Sequence, residues 1–89
     1  MKRPLFYAIL KYYTTVDEAC ADDVMKALQD DYGSYRTFKK KSIIEALMTA
    51  ESNAVLEETR FDLDDNGELR VYYHANEDGK KTINSYIKD

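Results

Sequence analysis

Four positively charged side chains lie within a short stretch in the middle of the chain. No acidic residue occurs between positions 32 and 44. The N-terminus of a helix is expected beside this cluster, and free backbone N–H groups at a helix N-terminus bind anions. The cluster therefore predicts contacts with phosphate groups, the structural alternative being a solvated turn that balances acidic residues elsewhere. The four residues are Arg36, Lys39, Lys40 and Lys41.

The stretch D-L-D-D-N-G at residues 62–67 has the opening pattern of a calcium-binding loop. Such a loop needs a bidentate acid at its twelfth position, where this chain has Tyr73, and its ninth position is Arg70. The flanking segments have the pattern of strands and not of helices. The stretch therefore predicts a hairpin turn without a metal.

His74 and Cys20 are the only histidine and the only cysteine of the chain. A metal site needs several such ligands at matched spacing, and a single cysteine forms no disulfide within the chain. The sequence also has no glycine-rich nucleotide-binding motif. We therefore expect no catalytic activity, no metal and no cofactor.

The composition is that of one small acidic domain. The 89 residues are 44% hydrophobic, which suffices for a single core over residues 1–89. The net charge of −4 argues against indiscriminate binding to nucleic acid but leaves room for a local basic surface. Since no apolar run has the length of a signal peptide or a membrane span, we expect a cytoplasmic protein without membrane contact.

Apolar residues recur at helical spacing in segments on both sides of the basic cluster and the turn. The first helix is expected over residues 4–13, with Pro4 in its first turn. The second lies within residues 17–31, begins at Asp17 or Asp22 and ends at Gly33. The last has Asn76 as its N-cap and continues through residues 80–88. The buried stripe expected on the second helix is Cys20, Ala21, Val24, Ala27 and Leu28.

A third helix follows the basic cluster. If it reached back to Arg36, its periodicity would bury Arg36 and Lys40 and expose Phe38. We therefore expect it to begin between Thr37 and Lys40 and to end at residues 52–53, with a strand starting at residues 55–56. Its core face is expected to hold Ile43, Ile44, Leu47, Met48 and Glu51, and its solvent face Lys41, Ser42, Glu45, Thr49 and Ser52.

The turn at Asp65-Asn66-Gly67 fixes the register of a hairpin. A two-residue loop would mix apolar and polar side chains on both faces, whereas a three-residue loop separates them. The three-residue loop pairs Leu63 with Leu69, Phe61 with Val71 and Thr59 with Tyr73 on an apolar face. It pairs Asp62 with Arg70 and Arg60 with Tyr72 on the other face. We therefore expect a type I turn with Gly67 in the left-handed conformation.

The order helix, helix, helix, hairpin, helix resembles the winged-helix superfamily, and so do two local stretches. ALMTAESNAVLEE resembles the end of a recognition helix that continues into the first wing strand. RVYYHANEDGKKTINSYI resembles the second wing strand followed by a closing helix. The resemblance covers nearly the whole chain. It implies an α+β, mostly helical fold: a winged-helix domain of three helices, a two-stranded antiparallel wing and a C-terminal helix.

In bacterial proteins of this type the third helix enters the major groove, the wing touches the DNA backbone and terminal helices form a dimer. The resemblance therefore implies a small transcriptional regulator that binds double-stranded DNA as a homodimer. The implied DNA contacts are Arg36, Lys39, Lys40, Lys41, Ser42, Thr49 and Arg70. The implied dimer contacts are Leu5, Ile9, Tyr13, Ile83, Tyr86 and Ile87.

The wing of this chain departs from the superfamily pattern in its charge. A wing that contacts DNA is usually basic, whereas this one has four acidic and two basic residues, which should repel phosphate. A second hypothesis follows, in which the chain is a protein-interaction module whose acidic wing docks on a basic partner. The charged wing residues are Asp62, Asp64, Asp65, Glu68, Arg60 and Arg70.

Overall fold

The computed structural model describes residues 3–87, which form four helices and one two-stranded antiparallel sheet. The order is the one expected from the sequence, so the α+β winged-helix layout is confirmed. Lys88, expected in the last helix, lies outside the described residues. No helix within residues 3–87 has the length and apolar content that crossing a membrane requires. In chain order the elements are α1 (Leu5–Tyr12), α2 (Ala21–Tyr32), α3 (Lys40–Ser52), β1 (Glu57–Leu63), β2 (Leu69–His74) and α4 (Glu77–Tyr86).

The core forms where the helices meet the inner end of the hairpin. Tyr13, directly after α1, is fully buried, and its hydroxyl donates a hydrogen bond of 2.8 Å to the carbonyl of Ala19. Ala19 also forms a bridge with Tyr73 of β2, in which each N–H donates to the other residue's carbonyl at 3.0 Å. The loop between α1 and α2 therefore joins the helices to the wing.

Most residues expected in a dimer contact lie inside this core. Ile9, Tyr13, Ile83 and Ile87 are each at most 5% exposed. Their periodicity identified the inner faces of α1 and α4, which pack against each other within one chain. The expected contact must therefore be corrected, because these four side chains are already enclosed. Of the other two, Leu5 is partly buried against the core and Tyr86 is 81% exposed.

The start of α2 differs from the expectation. Its N-cap is Cys20 and not Asp17 or Asp22. The Asp23 carboxylate accepts hydrogen bonds from the Cys20 N–H at 3.1 Å and from its thiol at 3.4 Å. The bridge to β2 holds the preceding residue in an extended conformation, which determines where the helix can begin. Ala27, expected in the buried stripe, is exposed.

The wing turn has the expected geometry. The register runs as expected from the Leu63–Leu69 pair to the Arg60–Tyr72 pair, and Gly67 has a φ of 79°. That φ lies in the left-handed region, which glycine adopts at little cost.

The inner end of the hairpin differs from the expected pairing. The first strand begins at Glu57 and not at residues 55–56. A bulge between Glu58 and Arg60 places Glu58, and not Thr59, opposite Tyr73. Polar residues occupy both faces of this part of β1, so no apolar alternation fixes its register.

α3 ends in a left-handed cap that directs the chain into β1. Ala54 has a φ of 62°, and the N–H groups of Ala54 and Val55 donate to the carbonyls of Glu51 and Ala50, both at 2.9 Å. These two bonds form a Schellman motif. The Val55 carbonyl lies so close to Gly79 in α4 that a Cβ there would overlap it. Glycine at this position therefore allows α4 to pack on the turn between α3 and β1.

We expect Gly79→Ala to lower the free energy of unfolding by about 1–3 kcal/mol, because the added methyl group overlaps a backbone carbonyl. In an unobstructed helix the same change stabilises by about 0.5–1 kcal/mol. Urea denaturation followed by circular dichroism measures the difference. Thr82→Ala, on the exposed side of α4, is the control and should stay within about 0.5 kcal/mol of wild type. A stabilised Gly79→Ala variant would contradict this packing.

Candidate functional site

The basic cluster lies in the turn before α3 and in the first residues of that helix. Arg36, Lys39 and Lys41 are exposed to solvent. Lys40 instead forms an ion pair of 3.2 Å with Asp22 of α2, and a hydrogen bond to the same carboxylate raises the pKa of Lys40. Three of the four cations therefore face solvent, where they can meet an anion.

Two of the other residues predicted to contact DNA, Arg70 and Thr49, form hydrogen bonds within the chain. Arg70 donates to both oxygens of Asp62, from Nε at 2.8 Å and from Nη2 at 3.1 Å. The Thr49 hydroxyl donates to the Glu45 carbonyl at 3.0 Å. Ser42 is partly buried and lines a small cavity beside α1. Arg36, Lys39 and Lys41 are thus exposed in and just before the start of α3, whereas the side-chain donors of Arg70 and Thr49 are already used within the chain.

The polar face of the wing balances much of its own charge. The Arg60 Nε donates to Glu18 at 2.8 Å, and the Arg60 guanidinium lies 3.8 Å from the centre of the Tyr72 ring. Asp62 lies 3.5 Å from Arg60 and also accepts the bonds from Arg70. The hydrogen bond from Arg70 is the main reason that the pKa of Asp62 is lowered. This face is therefore occupied by contacts within the chain.

The opposite face of the wing is apolar and mostly uncovered. Phe61, Leu63 and Leu69 are 67%, 64% and 58% exposed. On the neighbouring α3, Met48 and Ile44 are 54% and 39% exposed. The expectation that Ile44 and Met48 lie in the core is therefore wrong, although their place on one side of the helix is right.

The geometry of α3 explains why these residues escape burial. Only Ile43, Leu47 and Ala50 of this helix are buried, and at 100° per residue they span a narrower arc than the whole apolar stripe. Two adjacent apolar pairs, at residues 43–44 and 47–48, make the stripe wider than one packing contact can cover. That width is the signal in the sequence that could have identified an exposed apolar surface.

A groove of about 390 Å³ lies between α3 and β2. Ile44 and Met48 line it from the helix, and Leu69 and Val71 line it from the wing. Its inner side is formed by residues of the core and by the start of α2, among them Leu47, Tyr73, Cys20 and Ala21. We call this groove, together with the exposed side chains of Phe61 and Leu63, the α3–wing face.

The two ends of the groove differ in charge. Glu51 in the last turn of α3 and Glu58 on β1 line one end. Within residues 3–87 neither carboxylate forms an ion pair. The pKa of the nearby Tyr73 is raised, chiefly by burial and further by these two charges. At the other end Lys40 and Arg70 are each already paired with a carboxylate. The groove therefore has one neutralised end and one negative end.

The remaining polar candidates have structural roles. The Asp64 carboxylate accepts hydrogen bonds from the N–H groups of Glu68 at 2.9 Å and Asn66 at 2.8 Å, which closes the hairpin turn. His74 lies 3.6 Å from Glu57. Burial raises the pKa of the Cys20 thiol, which disfavours its reactive thiolate form. Residues 3–87 contain no group of three or more side chains that could hold a metal ion.

Comparison with known proteins adds no relative. No protein-family model matches the chain, and no curated protein matches it. The α3–wing face and the basic cluster are therefore the two surfaces that suggest a function.

The wing should lose stability in acid. The pKa of Asp62 is lowered chiefly by the hydrogen bond from Arg70, and that of Glu18 chiefly by the bond from Thr59 and then by that from Arg60. A carboxyl group whose pKa is lower in the folded than in the unfolded protein stabilises the fold at pH values above its unfolded pKa, here about 4. This stabilisation is lost as the pH falls through the pKa of the folded protein. We therefore expect Asp62→Asn to destabilise the protein at neutral pH and to have a smaller effect at pH 3.

Urea denaturation at the two pH values measures this difference. In an Arg70→Gln background, which removes the main partner of Asp62, the pH-dependent part of the Asp62→Asn effect should shrink. An Asp62→Asn effect of equal size at both pH values would show that the ion pair does not cause the acid sensitivity.

Proposed function

We propose that the chain is a protein-interaction module that binds its partner through the α3–wing face. The observation that carries this proposal is the exposure of five large apolar side chains on one surface. Small monomeric proteins rarely leave such a contiguous apolar surface in water, and surfaces of this kind are typical of protein-binding sites. The five residues are Ile44, Met48, Phe61, Leu63 and Leu69.

The exposed residues contribute little to the fold that displays them. Leu47 and Tyr73, at the inner side of the groove, are 1% and 6% exposed and belong to the core. Met48 and Leu69 are more than half exposed, so most of their apolar surface is in contact with water. Since burial of that surface would be favourable, a partner that covers it gains the corresponding free energy.

The proposed binding site is the apolar face of the wing and not its acidic, polar face. The polar face of the wing is engaged in its own ion pairs, as the Arg60–Glu18 and Arg70–Asp62 contacts show. The apolar face has no such internal partners.

We also propose a cytoplasmic location, since a single free cysteine at position 20 is suited to a reducing compartment.

Site-specific cross-linking tests the proposed face. A photo-reactive phenylalanine analogue in place of Met48 should form discrete protein adducts in extracts of the source cells. The same analogue in place of Thr82, which is exposed on α4, should not form them. Adding Leu69→Gln should remove the adducts formed from position 48, because it introduces a polar group into the apolar contact. Identical adducts from both positions, or none from position 48, would refute the proposal.

Stability measurements separate loss of binding from loss of folding. Leu69→Gln should change the free energy of unfolding by less than about 1 kcal/mol, because the residue is mostly exposed. Leu47→Ala, beside the groove but fully buried, should lower it by about 2–5 kcal/mol.

A second candidate function is DNA binding by a transcriptional regulator, supported by the position of the three exposed cations. Lys39 and Lys41 lie at the start of α3, and Arg36 lies in the turn before it. The side chain of the N-cap residue Lys39 makes no capping hydrogen bond within residues 3–87. The first N–H groups of the helix are therefore suited to a phosphate oxygen. Binding by one chain would be weak, so a homodimer would strengthen it through contacts other than the enclosed residues of α1 and α4.

A salt-dependent gel shift with duplex DNA tests this candidate. Three phosphate contacts predict a slope of about −2.7 for the logarithm of the binding constant against the logarithm of salt concentration. Lys39→Ala combined with Lys41→Ala should weaken binding and reduce the slope, whereas Lys26→Ala on the exposed side of α2 should change neither. Affinity too weak to detect at low salt, or unaffected by the double substitution, would exclude DNA contact through this cluster.

A further inference from the structure

We infer that the partner presents a positively charged amphipathic helix to the α3–wing face. This inference rests on the proposed protein-binding function and names the chemistry of its partner. Three features of the groove support it: the side chains that line it, the part of the sheet that it leaves accessible, and the charge at its two ends.

The lining of the groove requires an apolar surface on the occupant. Ile44 and Met48 stand one helical turn apart on α3, and Leu69 and Val71 share the apolar face of β2. An amphipathic helix fits such a groove by placing apolar side chains at intervals of three and four residues between the two walls.

The accessible part of the sheet favours a helix over an added strand. From β2 the groove is lined by Leu69, Arg70, Val71 and Tyr73, of which Leu69, Val71 and Tyr73 share the apolar face of the strand. At the inner end of β2 the backbone edge is already occupied, because Ala19 exchanges both backbone hydrogen bonds with Tyr73. A strand added beside this end of β2 would have to displace the bridge. A helix lying on the face leaves it intact.

The charge at the inner end of the groove determines the polar side of the occupant. Glu51 and Glu58 line this end and form no ion pair within residues 3–87. Lysine or arginine beside the apolar positions of a partner helix would complement these carboxylates. At the outer end Lys40 and Arg70 are paired with Asp22 and Asp62, so an acidic partner helix would find no unpaired cation in the groove.

The same charges disfavour a second copy of this chain as the occupant. Each chain carries a net charge of −4, and pairing through this face would bring two negative surfaces together. Phosphate backbones are disfavoured for the same reason, because the groove combines apolar walls with unpaired carboxylates. The inferred occupant is therefore a cationic helix from a different protein.

Three synthetic helical peptides with identical leucine positions test the inference. Their polar faces carry lysine, glutamate or only glutamine, and fluorescence anisotropy measures their affinity for the full chain. The lysine peptide should bind most tightly. Glu51→Gln combined with Glu58→Gln should weaken its binding about tenfold at low salt and less at high salt. The same pair of substitutions should leave the glutamine peptide unaffected.

A charge-matched variant excludes nonspecific attraction between a cationic peptide and an acidic protein. Asp17→Asn combined with Asp30→Asn changes the net charge equally at exposed positions elsewhere and should leave the affinity unchanged.

Met48→Gln should abolish binding of the lysine peptide. Equal affinities for the three peptides, equal effects of the two charge-changing variants, or binding that survives Met48→Gln would each overturn the inference. So would a dimer in sedimentation that the peptide displaces, because a second copy would then be the occupant.

Failure of this inference is distinguishable from failure of the proposed function. Adducts from position 48 together with equal affinities for the three peptides would retain the protein-binding face and reject the cationic helix. Absence of adducts together with absence of peptide binding would reject both.

Discussion

The backbone of Ala19 is the junction on which the arrangement of the molecule depends. Its carbonyl accepts hydrogen bonds from the Tyr13 hydroxyl at 2.8 Å and from the Tyr73 N–H at 3.0 Å. The first bond holds the end of α1, and the second holds the inner end of β2. Tyr13 and Ala19 are buried. The hydrogen bonds at this carbonyl are therefore stronger than they would be in water. One carbonyl thus connects the end of α1 to the inner end of the wing.

Attachment of the wing at its inner end produces the exposed α3–wing face. Near the junction, Tyr73 packs into the core, and two positions further along the same face Val71 is only partly buried. Beyond it Leu69 is exposed. The apolar face of β2 therefore emerges gradually from the core, beside the part of α3 that the core does not cover. A groove open to solvent is the direct result.

The sequence predicted the outer part of this wing accurately because two signals complement each other there. The Asp65-Asn66-Gly67 turn locates the hairpin, and the alternation of apolar and polar residues decides between the two loop lengths and so fixes the register. Around Thr59 the alternation is lost, and the bulge allows Thr59 and Arg60 both to contact Glu18. That contact joins residues far apart in the sequence, so no local pattern could predict it.

Periodicity predicted which side chains share a face but not whether another element covers that face. On α4 the pattern at Ile83 and Ile87 indicated an apolar surface, and the structure encloses it within the same chain. On α3 the pattern at Ile44 and Met48 indicated a core, and the structure leaves these residues exposed. Both differences arise from tertiary packing. The spacing of apolar residues along a helix does not show whether another element covers their face, or which one.

The charges of α3 run against its own helix dipole. A helix is stabilised by acidic side chains in its first turn and basic ones in its last turn, by about 0.3–1 kcal/mol each. α3 has Lys40 and Lys41 at its start and Glu51 near its end, the reverse of that arrangement. Lys40 is compensated by Asp22, whereas Lys41 and Glu51 have no such contact within residues 3–87. Residues that disfavour their own element and add nothing to the core are typical of functional surfaces. Glu51 is unfavourable for its own helix and lies at the negative end of the groove. The charge pattern of α3 therefore points to the same face as its exposed apolar side chains.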